Sequence, residues 1–241
     1  MFAPNTQPQE SIVRDGDGST LDLHSIFLTL QGEGPFSGHR AVFVRLAGCN
    51  LQCPGCDTEY TQGRATVSIH DIASSVDAFA GGKPAIVVIT GGEPLRQPIG
   101  AFVYVLLRKG FLVQIESNGT VAPDDKLHSA LIQYGRRVTL VVSPKTRQIA
   151  KTCLERAAAF KYVLDHRHVS PVDGLPTVAL EYDRAAGDGV ARPREGAPVY
   201  VTPYDAKDDD DEVLNRMAVG ETCRRFGYIA GVQLHKLMDL A

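Results

Sequence analysis

The sequence lacks any excess of positive charge: 25 Lys and Arg stand against 28 Asp and Glu, for a net charge of −3. A chain without a basic footprint has no electrostatic hold on a polyanion, so no direct nucleic-acid partner is expected and a small molecule fits better. It also lacks an uninterrupted apolar run near the roughly 20 residues that a membrane-crossing helix needs. The opening string MFAPNTQPQESIVRDGDGST holds neither the basic nor the apolar stretch of a secretory leader. The expectation is a cytoplasmic protein with no membrane partner. Cysteine is scarce, at five residues in 241, and three of the five are clustered. That pattern is not a disulfide framework, and in a reducing compartment it reads as metal binding. No internal repeat or low-complexity domain interrupts the chain.

What is present is ordinary for a globular protein with a sizeable core: 44% hydrophobic and 22% charged residues. Residues 1–20 are polar and read as a flexible N-terminal tail. Residues 21–241 read as a single domain, with 181–198 (EYDRAAGDGVARPREGAP) an exposed loop. Strand candidates are His24–Leu28, Ala41–Leu46, Ala85–Thr90, Phe111–Glu116, Val138–Val142, Phe160–Leu164, Val199–Thr202 and a last stretch near Gly231–Leu234. Strings such as AIVVIT and VTLVV are continuously apolar, as expected of parallel strands buried on both faces. Helical patterns alternate with them. Ser68 and Asp71 resemble a capping box ahead of Ile69, Ile72, Val76 and Phe79 on one face, and further helices are expected over Ile99–Lys109, Asp124–Tyr134, Ile149–Ala158 and Asp210–Phe226. The alternation predicts an α/β fold with a parallel sheet, and about six βα units are too few for a closed eight-fold barrel. A partial, open β/α barrel is the expected architecture. Asp208 to Glu212 read as a solvated first turn favourable to the helix dipole. Cys153 and Cys223 read as small buried apolar residues, and His166 and His168 as solvated polar ones.

The cluster Cys49, Cys53 and Cys56 is spaced C-x3-C-x2-C within eight residues. One short loop can thus present three thiolates to a single compact centre. A 4Fe–4S cubane normally takes four cysteines, so three leave one iron open to a small molecule. Structural zinc favours two separated ligand pairs, and no second C-x2-C or suitably spaced histidine is present. Directly after AIVVIT comes Thr90-Gly91-Gly92-Glu93-Pro94. Its glycines permit close backbone approach to a ligand, and Glu93 offers an acceptor suited to an ammonium group. Two more strand ends, Glu116-Ser117-Asn118-Gly119 and Ser143-Pro144-Lys145, place polar groups where α/β architectures bind ligands.

From Leu21 onward these strings resemble the radical S-adenosylmethionine (SAM) enzymes. The resemblance implies a 4Fe–4S cluster on Cys49, Cys53 and Cys56, with SAM chelating the open iron. Reductive cleavage of SAM then yields a 5′-deoxyadenosyl radical that takes a hydrogen atom from substrate. It further implies SAM contacts from Gly55, Asp57, Gly91, Gly92, Glu93, Glu116, Ser143, Lys145 and Thr202. Three more strings narrow the resemblance: Leu30-Gln31-Gly32-Glu33-Gly34, Asp57-Thr58 and Gln233-Leu234-His235-Lys236 near the end. Together they are similar to the 7-carboxy-7-deazaguanine synthase family. That implies a radical ring contraction of 6-carboxy-5,6,7,8-tetrahydropterin with loss of ammonia, in queuosine and 7-deazapurine biosynthesis. It also implies Mg2+ on Thr58, an electron donor such as a flavodoxin, and a homodimer. Substrate contacts would come from Leu30, Gln31, Gly32, Glu33, Arg45, Thr90, His235 and Ala241, with His235 the candidate catalytic residue. One departure stands out: where many members have Gln-Pro, this chain has Thr202-Pro203. The competing readings are an activase for a glycyl-radical enzyme, which leaves QGEG and QLHK unexplained, and a non-catalytic iron–sulfur or zinc scaffold.

Overall fold

The apolar runs form strands β1 (Thr20–Leu30), β2 (Arg40–Leu46), β3 (Ala65–Ser68), β4 (Ile86–Gly91), β5 (Leu112–Ser117), β6 (Val138–Val142), β7 (Ala159–Leu164), β8 (Val199–Pro203) and β9 (Ile229–Ala230). The helices are α1 (Ile69–Ala80), α2 (Gly100–Arg108), α3 (Asp125–Gln133), α4 (Lys151–Arg156), α5 (Asp209–Phe226) and α6 (Leu234–Leu237). The computed structural model describes residues 5–13, 15–179, 189–238 and 240. Its strands make one sheet in the order β3-β1-β2-β4-β5-β6-β7-β8-β9. From β2 to β9 every neighbouring pair is parallel. β3 and β9 are the ends of the order, so the sheet is a partial, open parallel β/α barrel.

Three features differ from the sequence reading. β1 runs antiparallel to both β2 and β3, because β1 reaches β2 through a short connection with no crossover helix. β3 is a short strand, ATVS, with no buried residue and too few residues for an apolar signature. The last strand falls at Ile229–Ala230, and the stretch expected as strand turns into α6 instead.

Side-chain alternation explains the two faces of the sheet. Along β2, Val42, Val44 and Leu46 belong to the main core with the helices, while Ala41 and Phe43 belong to a small inner cluster with Ile86, Val88 and Phe36. Arg45 follows Ala41 and Phe43 at period two and therefore faces the barrel interior. α1 seals the outer face with Ile69, Ile72, Ala73 and Val76. Each buried branched residue of that set contributes about 1.5–3 kcal/mol. Ser68 caps the helix by accepting from the Asp71 N–H at 3.1 Å. Phe79, expected on the same face, is half-exposed. Asp208 caps α5, accepting from the Asp211 N–H at 3.1 Å. The register also staggers: the last residue of β6, Val142, pairs with Phe160 near the start of β7. Such stagger is the shear that curls a sheet toward a barrel.

Two segments expected to be loose are tied down. Residues 5–13 lie against the cysteine loop, where Glu10 N–H donates to the Cys49 carbonyl at 2.7 Å. Residues 181–188 lie outside the described residues, but the remainder of that expected loop packs back on the barrel. Val190 is buried, Tyr162 donates to the Ala191 carbonyl at 2.7 Å, and Arg192 pairs with Asp173 at 2.8 Å. His166 is not simply solvated either, since its ring sits 2.9 Å from Asn215 Oδ1. Cys153 is buried and donates to the Val121 carbonyl at 3.3 Å, whereas Cys223 is half-buried.

Candidate active site

The cysteine loop springs from the end of β2. Gly48 takes φ +80°, and a Cβ there would stand 2.5 Å from Arg96 Nη2 and 2.7 Å from Glu10 Oε2, so only glycine fits before Cys49. Cys56 N–H donates to the Cys53 carbonyl at 3.1 Å, closing the turn that brings the second and third thiols together. Leu51 N–H donates to Cys49 Sγ at 3.4 Å. None of the three is in a disulfide. Burial pushes the Cys49 thiol up to about 12 and Cys53 to about 11, and raises Cys56 as well. In such a setting the thiolates form against a metal centre that supplies positive charge.

The thiols open into a cavity of about 430 Å³ inside the barrel. Leu30, Gln31, Gly32, Glu33, Arg45, Gly55, Asp57, Thr58, Thr90, Gly91, Gly92, Glu116, Ser143 and Lys145 line it together with the three cysteines. The structure thus gathers strings that lie far apart in the sequence around one space. Phe27 and Phe43, stacked with centroids 5.3 Å apart, form an aromatic wall, and the Arg45 guanidinium lies 5.3 Å from the Phe27 ring centre. Arg45 Nε and Thr29 Oγ1, both buried on this wall, have no hydrogen-bond partner among the described residues. Lys145 donates to Ser143 Oγ at 2.6 Å, and burial pulls its pKa below the usual lysine value.

Two expected residues stand elsewhere. Glu93 is fully buried and does not line the cavity. Its carboxylate accepts from Ser117 Oγ at 2.8 Å, Leu95 N–H at 2.9 Å and Asn118 N–H at 2.7 Å. Burial pushes this carboxyl up to about 7. The group is therefore a rivet between the ends of β4 and β5, with its oxygens already engaged, rather than an open acceptor for an ammonium. Thr202 is also fully buried, donating toward the Tyr162 carbonyl at 3.4 Å. Its neighbours Pro203, Tyr204 and Asp205 line the cavity instead. The His235 side chain and Ala241 lie outside what is described.

The glycines of GGEP also serve a second purpose. A Cβ on Gly92 would stand 2.1 Å from the Gly48 carbonyl oxygen and 2.9 Å from Cys49 Cβ, and one on Gly91 2.1 Å from the Leu46 carbonyl oxygen. The close approach they permit is to the end of β2 and to the cysteine loop that follows it. Several lining residues escaped the sequence reading, Lys161 foremost. Its ammonium pairs with Glu33 and lies 3.5 Å from Glu116. Burial opposes the charge, and the two carboxylates more than restore it, holding the lysine protonated. Glu116 also accepts from Gln31 and Gln114, each at 2.8 Å. A lysine inside the apolar string AFKYVL was the available signal.

A cavity at the strand ends of an open β/α barrel, walled by a tri-cysteine loop and a Gly-Gly turn, defines a radical SAM enzyme, and the Radical SAM superfamily model matches residues 44–147. The 7-carboxy-7-deazaguanine synthase of Rhodospirillum rubrum is 39% identical over 94% of this chain and 95% of its own length. That of Rickettsia prowazekii is 34% identical over 100% of this chain and 96% of its own. The chain belongs to the 7-carboxy-7-deazaguanine synthase family. The fold of the QueE crystal structure from Escherichia coli matches with a TM-score of 0.64 at 24% identity, over 89% of this chain and 94% of that one.

Membership makes the protein a radical SAM lyase with a 4Fe–4S cluster and SAM as cofactors. The donor set fits. Three free thiols on one loop share a cavity wall, and among the described residues no three His, Cys, Asp or Glu side chains converge as ligands of a single ion do. Thiols spread along a wall suit a cluster, whose cysteines each bind a different iron. Among the described residues no helix is long and apolar enough to cross a membrane.

Proposed function

We propose that this protein converts 6-carboxy-5,6,7,8-tetrahydropterin to 7-carboxy-7-deazaguanine with loss of ammonia. The observation that carries the reading is one cavity shared by the three cysteines on one wall and by Gln31, Glu33 and the partnerless Arg45 Nε on another. When bound, the cluster and SAM supply hydrogen-abstracting radical chemistry that no side chain can perform. The protein supplies placement and shielding. Cys49, Cys53 and Cys56 hold the cluster, and Gly91 and Gly92 with Ser143, Lys145 and Glu116 receive SAM beside it, with Gly55 and Asp57 at the loop's rim. Arg45, fixed over Phe27, pairs with the substrate carboxylate. Gln31, Glu33 and Thr90 read the polar edge of the pterin, whose flat face lies against Phe27 and Phe43. A wrong ring would leave these buried groups unpaired, which is how such a site discriminates.

Thr58, half-buried at the cavity beside Asp57, would offer a hard hydroxyl oxygen to a Mg2+ ion, which would supply positive charge for the substrate carboxylate. His235 is the candidate for proton handling at the substrate. A small flavoprotein such as a flavodoxin supplies the electron, two copies form the working unit, and the reaction takes place in the cytoplasm.

The test combines reconstitution with product analysis. Anaerobically loaded protein should hold close to four iron and four sulfide per chain, and form the deazapurine from the carboxypterin given SAM and reductant. Cys53→Ala should lose both cluster and turnover. Full activity in Cys53→Ala, or SAM cleavage without deazapurine, would sink the reading.

A further inference from the structure

The N-terminal segment is joined to the cysteine loop by more hydrogen bonds than a passive tail would make. Residues 47–64 run from β2 to β3 without helix or strand, so their backbone polar groups need partners from elsewhere. Gln7 makes three hydrogen bonds to the loop, two of them to its backbone. Its Nε2 donates to the Thr58 carbonyl at 2.8 Å, its Oε1 accepts from Tyr60 N–H at 2.8 Å, and its own carbonyl accepts from Gln52 Nε2 at 2.7 Å. Asn5 Nδ2 donates to the Cys53 carbonyl at 3.1 Å, and Glu10 N–H donates to the Cys49 carbonyl at 2.7 Å. The segment thus touches the backbone at two cysteines and clasps the loop just beyond the third.

Its far end is anchored. Glu10 pairs with Arg64 and, at 3.2 Å, with the buried Arg96, while Arg96 Nη1 donates to the Ser11 carbonyl at 2.9 Å. Arg96 belongs to the turn that follows Gly92 and Glu93. The same segment therefore ties the cysteine loop to the Gly-Gly turn.

We propose that residues 5–13 are a strap that fixes the cysteine loop in its cluster-accepting shape, with Gln7 the positioning residue. This rests on the cysteines holding a cluster, as proposed above. A loop ordered beforehand needs no further ordering when iron arrives, and it resists the opening through which iron leaves.

The test follows cluster loss. Holoenzyme is exposed anaerobically to an iron chelator at 25 °C and the fading of visible absorbance is timed. Gln7→Ala should lose iron about tenfold faster than wild type, the size expected when two hydrogen bonds of the loop are removed. Ser68→Ala, which weakens the α1 cap away from the loop, controls for general destabilisation and should fade at the wild-type rate. Gln7→Glu keeps the acceptor for Tyr60 but sets an oxygen against the Thr58 carbonyl, so it should fade faster too. Equal fading of Gln7→Ala and wild type overturns the strap alone, as does equal acceleration in Ser68→Ala. Wild-type protein that takes up no iron overturns both the strap and the cluster assignment.

Discussion

Lys161 sets the charge balance inside the barrel. Without its ammonium, the carboxylates of Glu33 and Glu116 would face one another in a space largely closed to water. Lys161→Met should therefore cost about 3–5 kcal/mol of stability, the range for breaking a buried pair from one side. Adding Glu33→Gln should recover part of it, because one of the two carboxylates is then neutral. Urea melts of wild type and the two variants check this, and a Lys161→Met protein as stable as wild type would show that the carboxylates find other partners. The same residue shows where sequence reading stops. Arg45 and Lys161 carry one signature, a lone cation in an apolar strand, and alternation along β2 places Arg45 inward from sequence alone. The significance of Lys161 depends on Glu33, 128 positions away, which no local pattern reveals. Glu93 was legible as a motif but not in its orientation, since two of the three hydrogen bonds that enclose it come from Ser117 and Asn118 at the end of β5.

Among the elements, the parallel strands were legible because continuous apolarity marks burial on both faces. The β1–β3 pairing was not, because β3 is only four residues long, ATVS, too short to show a period. α6 was hidden too: four residues carry too little pattern to separate helix from strand. What holds α6 is specific. Lys236 reaches Asp205 at the end of β8 at 2.6 Å, Gln233 Nε2 donates to Glu33 at 2.8 Å, and Leu234 N–H donates to the Gly32 carbonyl at 3.3 Å. Burial alone would raise the Asp205 carboxyl, but hydrogen bonds from Lys207 and Lys236 outweigh it and hold the group at about 2. A depressed carboxyl stabilises the fold above its unfolded value of 3.8 and loses that contribution as pH falls toward about 2. The melting temperature of wild type should accordingly exceed that of Asp205→Asn near neutral pH. The gap should narrow as pH drops through the range from about 4 to about 2. A gap independent of pH would mean that Asp205 contributes by packing rather than charge.

At the scale of the whole molecule, α6 and residues 233–234 meet the turn after β1, so the two flanks of an open sheet touch without a strand pair to seal them. The architecture was readable from the count of βα units, and the cavity was readable as strings that would have to meet. Its depth and its aromatic wall required the curl of the sheet, which emerges from stagger summed over many strands. The unpaired guanidinium nitrogen of Arg45 also has a thermodynamic side. Arg45 is half-buried against Phe27 with its Nε shielded from water and unpaired, so an anion pairing with it would link ligand occupancy to resistance to unfolding. At a carboxypterin concentration a hundred times its dissociation constant, the folded state gains about 2.7 kcal/mol. Melting curves with and without the pterin should show that upward shift in wild type and a much smaller one in Arg45→Met. An enzyme built this way is hardest to unfold, and slowest to be proteolysed, when its substrate is abundant.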